Sequence, residues 1–277
     1  IPIARRLSQM ALPLALADNA KSGISTLENL MVPRRLALCT AVASPLAAFG
    51  IISGMVFPVM MFPACILFAL AELLIPELAR CAAAGSRTRI SYLVRRSLKV
   101  AMLYGLLFCG LLFLLAEKLT ISLYSNAEAG QYLQLYALLV PMLYCDAITD
   151  AMTKGLGQQK ACVRYNILTS TLDVIFLFFL LPKYGMFGYY LSFFITHFLN
   201  FILSLRRLLK ITGERIPLHI PLISFSAALA SIWAAGFLRS TFLIVLAYPV
   251  LLGCGLYLAG ILRIEDIHWI KGLIRKK

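Results

Sequence analysis

The chain has 277 residues, 26 of them Lys or Arg against 12 Asp or Glu, for a formal net charge of +14, yet it is 61% hydrophobic and only 14% charged. A soluble domain carries about 25% charged residues, and here the mean hydropathy is +0.87. Composition therefore excludes a soluble globular protein and predicts an all-α integral membrane protein, because windows of 18 or more mostly apolar residues recur along the chain. In such a protein, basic residues are first explained by the positive-inside rule, so nucleic acid is not an expected partner.

The pattern predicts eight spans: 8–31, 47–74, 98–116, 131–153, 163–181, 186–205, 218–237 and 241–262. Pro58 and Pro63 should kink the second and Pro141 lies inside the fourth, because proline removes a ladder hydrogen bond. The fifth span should end at the turn Pro182-Lys183-Tyr184-Gly185. With alternating orientation, twenty of the basic residues fall on one side and five on the other, which puts both termini in the cytoplasm. The tail places Ile267, Ile270, Leu273 and Ile274 on one helical side beside Trp269, the pattern of an interfacial helix on anionic lipid. The chain opens IPIARRL, without a methionine or a signal-peptide pattern, and is expected to be a piece of a larger polypeptide.

The first span carries ionisable groups at mid-length. Asp18, Lys21, Ser22, Ser25, Glu28 and Asn29 fall within an arc of about 120° at 100° per residue. A charged side chain at the centre of a bilayer costs roughly 2.5–3.5 kcal/mol on insertion scales, so this stripe must face protein or a hydrated hollow. A helix lying on the membrane surface is the alternative; such helices gather Lys and Arg on their polar face, whereas this face has mixed charge. The fourth span repeats the pattern with Asp146, Thr149, Asp150, Thr153 and Lys154. The fifth answers with Asn166, Thr169, Ser170 and Asp173, and the sixth with a weaker row of Ser192, Thr196, Asn200 and Ser204. The ionisable groups are read as cavity lining and the Ser and Thr hydroxyls mainly as interhelical glue.

Other chemistry finds little support. The seven cysteines are scattered, with neither a CxxC nor a histidine at ligand spacing, so no metal site, cofactor or disulfide framework is expected. His197 in the sixth span reads as a packing histidine before a proton-linked one. Gly155-x-Gly157 lacks a preceding strand and reads as a helix C-cap, not a phosphate loop. Asp146-x-x-x-Asp150 is similar to the aspartates with which intramembrane prenyltransferases hold magnesium diphosphate, but a facing second acidic cluster is missing, and no enzyme is expected.

Three runs carry a resemblance: STLENLMVPRRL, FGIISGMVFPVMMFPACILFALAELLIPELA, and the stretch from LVPMLYCDAITDAMTKGLGQQKACVRYNI through YGMFGYY to LSLRRLLK. They resemble the stage V sporulation protein B group, in the polysaccharide-transporter branch of the multidrug/oligosaccharidyl-lipid/polysaccharide flippase superfamily. The resemblance implies that residues 1–210 are the second six-helix, MATE-like flippase lobe. Residues 211–277 would then be two additional transmembrane helices and a basic tail, and a first lobe would be a missing partner. It implies alternating access around a central cavity, a bacterial plasma-membrane location, and a polyprenyl-diphosphate-linked saccharide or peptidoglycan precursor as substrate. On that reading Lys21, Arg34 and Arg35 meet diphosphate or sugar acids, while Asp18, Glu28, Asp146 and Asp150 bind sugar hydroxyls or a coupling cation. Ser25, Asn29, Lys154, Asn166 and Asp173 complete the lining. A cation-coupled multidrug exporter and a non-transporting scaffold for cell-wall synthesis remain the alternatives.

Overall fold

A computed structural model describes residues 3–39, 44–215, 217, 219–238 and 240–262, with side chains from Asn19 onward. The proposed interfacial helix of the tail and the side chain of Asp18 lie outside the described residues. All described secondary structure is helical: α1 (Ile3–Leu36), α2 (Pro45–Ile51), a π-helical turn (Ile52–Val56), α3 (Phe57–Met61), α4 (Ala64–Ala83), α5 (Arg87–Tyr124), α6 (Glu128–Ala137), α7 (Val140–Gly155), α8 (Gln159–Thr212), α9 (His219–Gly236) and α10 (Thr241–Leu258).

Four of these helices (α5, α8, α9 and α10) are long and apolar enough to cross a membrane, or six spans if each bent pair is counted as one. The pairs are α2–α3 with α4, bent by 63°, and α6 with α7, bent by 54°. The count of eight also takes α1 as a span and treats α8 as two. Proline is the physical origin of the first break. Pro63 has no N–H to offer to the Val59 carbonyl four residues back, and at the same break the Met60 carbonyl accepts a hydrogen bond from Tyr144 Oη at 2.9 Å.

The 54 residues of α8 are two helical arms joined at Gly185, where φ is +56° and ψ −134°. That backbone region is essentially reserved for glycine, so the glycine of Pro-Lys-Tyr-Gly sets the reversal. Hydrogen bonds from Ser192 and Thr196 back to Asp173 show the arms running antiparallel. At the other end of α7 the C-cap reading of Gly155-x-Gly157 is correct. Gly157 has φ +76°, its N–H donates to the Lys154 carbonyl, and the Gln158 N–H donates to the Thr153 carbonyl, which together make a Schellman cap.

The chain forms two compact units. One comprises residues 1–101 and 142–214, in which α1 packs along α8 and ring contacts join Phe49 to Tyr189 and Phe57 to Phe193. The other takes Met102–Pro141 together with the described residues from Arg215 on. Its core is Leu106, Ala228, Ala235, Tyr248, Leu252 and Leu256, and α9 packs against α10. Tyr248 Oη donates to the Leu106 carbonyl at 2.7 Å, with its ring seated over Gly110, where a Cβ would stand 2.0 Å from Cζ. The boundary expected near 210 lies close to the chain's return at Glu214, but the second unit also claims residues 102–141.

Candidate functional site: a charged cavity among α1, α7 and α8

The first unit encloses a cavity of about 370 Å³ walled by α1, α7 and both arms of α8. On α7, Asp146, Asp150 and Lys154 follow one another at four-residue intervals and all face the hollow. The stripe read from the sequence is narrower than expected. Thr149 and Thr153 are fully buried and donate to the Cys145 and Thr149 carbonyls one turn back, at 2.7 and 2.8 Å.

The arms of α8 supply most of the hydrogen bonds that hold these carboxylates. Asn200 Nδ2 donates to both oxygens of Asp146, at 3.2 and 3.0 Å. Asp150 accepts from Ser204 Oγ at 2.9 Å and from Asn166 Nδ2 at 3.3 Å, while Lys154 Nζ stands 3.7 Å away. Asp173 Oδ1 accepts from Ser192 Oγ at 2.5 Å and Thr196 Oγ1 at 3.2 Å. Each of these three aspartates is thus supplied with donors, the condition for keeping it inside a low-dielectric bundle. The reverse holds for Asn200 Oδ1, a buried acceptor without a partner among the described residues, on a residue only 6% exposed that lines the cavity.

From α1, Lys21, Ser25 and Glu28 line the cavity, as the periodicity requires. Three expected members do not. Asn29, one residue past Glu28, is turned 100° away and exposed. Arg34 is exposed in the last turn, and Arg35 lies over the Phe178 ring, 3.3 Å from its centroid. There both arginines complement the carbonyl end of the helix dipole. Asn166 and Asp173 line the hollow as expected, together with Thr169 and Ser170.

His197, read from the sequence as a packing residue before a proton-linked one, also lines the cavity. Its ring stacks on Phe193 with centroids 3.9 Å apart, and Nδ1 lies 3.0 Å from the Phe193 carbonyl. A carbonyl only accepts, so Nδ1 carries a proton here, and whenever the ring is neutral its lone pair sits on Nε2. The sequence signal for it was slight, because His197 sits one position off the row of Ser192, Thr196 and Asn200.

The lining holds four carboxyl groups (Glu28, Asp146, Asp150, Asp173) against two lysines (Lys21, Lys154), so with all six ionised its formal balance is −2. The volume falls in the range of small-molecule sites, about 300–1,000 Å³. Among the described residues no group of three or more His, Cys, Asp or Glu is placed to hold a metal ion.

Long apolar helices, proline breaks and a charged, hydrogen-bonded hollow inside the bundle define a multi-pass membrane transport protein. The chain belongs to the MatE family: the family's model matches residues 36–179, just over half of its length. Members are membrane transporters or flippases of the multidrug/oligosaccharidyl-lipid/polysaccharide superfamily, not enzymes. Neither a search of curated proteins nor one of solved structures found a match.

Proposed function

We propose that this chain provides the substrate cavity of a flippase for polyprenyl-diphosphate-linked saccharides or peptidoglycan precursors, of the stage V sporulation protein B type, in a bacterial plasma membrane. The observation that carries the reading is the mixed lining of the cavity. Carboxylates and carboxamides hydrogen-bond sugar hydroxyls, and Lys21 and Lys154 offer charge-assisted bonds to a diphosphate. Alternating access would join this cavity to a first lobe in the full-length protein.

One observation favours a second reading, a cation-coupled multidrug exporter. Carboxylates outnumber lysines in the lining, and Arg34 and Arg35 do not contribute to it. The free Nε2 of His197 would then take a proton during the cycle.

Flipping of an undecaprenyl-linked substrate by the full-length protein in proteoliposomes separates the two. The first reading expects flipping that falls at least about tenfold in Lys21→Ala and in Asp146→Asn, the loss of about 1.4 kcal/mol of transition-state binding. Efflux of a hydrophobic cation without lipid flipping, or flipping unchanged in both variants, would overturn it.

A further inference from the structure

A second cavity, of about 250 Å³, lies between α4 and α7. The two helices are fixed together near its ends. Tyr144 near the start of α7 bonds to the Met60 carbonyl just ahead of α4. At the far end Gly155 meets α4 so closely that a Cβ would stand 2.8 Å from the Ile75 carbonyl oxygen. Between these pins the alanines are too small to fill the gap: Ala147 and Ala151 from α7 oppose Ala71, with Phe68 and Ile75 of α4 at its sides. Phe68, which lines the cleft, is itself exposed, so an apolar ring borders the cleft at its mouth.

The cleft also has two charged walls of opposite sign. Glu72 comes from α4, is exposed, and makes no hydrogen bond or ion pair among the described residues. Lys154 comes from α7 and is shared with the larger cavity, as is Asp150. Asp150 already accepts from Ser204 and Asn166, so Lys154, at 3.7 Å and with a side chain 39% exposed, is its most dispensable partner. Releasing such a pair costs little.

We infer that the α4–α7 cleft is a headgroup site for a zwitterionic aminophospholipid, whose phosphate is taken by Lys154 and whose ammonium is taken by Glu72. A purely anionic headgroup would face Glu72 and Asp150. A purely cationic one would leave Lys154 opposing it. A headgroup carrying both charges complements both walls, with its acyl chains leaving past the exposed Phe68 ring. The site shares Lys154 with the transport cavity, but lipid occupancy is measured without any substrate movement, so the two readings fail separately.

The test is lipid retention by the full-length protein in nanodiscs of equal phosphatidylethanolamine and phosphatidylglycerol, read by native mass spectrometry. Wild type should retain phosphatidylethanolamine about fivefold over phosphatidylglycerol, the factor expected of one added charge contact near the membrane surface. Glu72→Gln should abolish that preference, and Lys154→Gln should lower retention of both lipids. Ala151→Phe should fill the cleft and displace the lipid, with an unchanged thermal transition showing that the fold is intact. Equal retention of the two lipids by wild type, preferential retention of dodecylamine added as a cationic probe, or wild-type retention by Glu72→Gln would overturn the proposal.

Discussion

The two units solve the problem of life in a bilayer in opposite ways. In the second, α9 and α10 contain no Asp, Glu, Lys or Arg, and the core is closed by one tyrosine ring lying in the notch of Gly110. In the first, α1, α7 and α8 carry six ionisable groups into the bundle and hold them around a hollow. The hollow is what makes those groups tolerable, because each carboxylate keeps either protein donors or access to water. Apolar packing sustains the second unit, while a hydrogen-bond network with one vacant acceptor defines the first.

The sharpest way to break the packing unit is Gly110→Leu. Expelling the Tyr248 ring should cost about 3 kcal/mol or more through overpacking and the lost hydrogen bond, and Tyr248→Ala should recover part of it in thermal unfolding. The polar unit is most exposed at its reversal: Gly185→Ala, forced into a glycine backbone region, should cost about 1–3 kcal/mol, seen as a lower Tm. The two buried tyrosine bonds sharpen the contrast further. Tyr144→Phe strands the Met60 carbonyl at a helix break and should cost about 1–3 kcal/mol, whereas Tyr248→Phe, whose Leu106 carbonyl lies inside the continuous ladder of α5, should cost only about 0.5–1.5 kcal/mol. Equal effects of the two would remove the distinction between a broken and an unbroken helix.

The smallest effect concerns the end of α8. Ser91 and Arg95 both donate to the Glu214 carboxylate, and these hydrogen bonds, the Arg95 bond first, hold its pKa below the ordinary 4.5. A depressed pKa means that the contact is fully stabilising above pH 4.5 and is lost as pH falls through the lower folded value. Unfolding followed below pH 4.5 should show a modest acid destabilisation that Glu214→Gln flattens.

Much of the fold could be read from residues alone because its causes are local. The last two spans, expected at 218–237 and 241–262, are α9 and α10. Pro63 and Pro141 mark the two bent pairs, and Gly157 and Gly185 mark a cap and a reversal. The candidate site was legible only where periodicity and depth coincide, as at Lys21, Glu28, Asp146 and Asp150. Asn29 and Thr153 lie within the predicted arcs, yet the neighbouring helices leave one exposed and bury the other. His197 lay outside them and still reached the cavity.

Sequence alone established a helical membrane protein with breaks at Pro63 and beside Pro141 and with ionisable stripes that cannot face lipid, since both the greasiness of a span and the missing N–H of a proline belong to single residues. Tertiary structure decided which members of each stripe share one hollow, how donors are allotted among Asp146, Asp150 and Asp173, and that Arg35 stacks on Phe178 away from the cavity. Those choices depend on how helices distant in the chain pack against one another, and a side chain's surroundings are set by its neighbours in space.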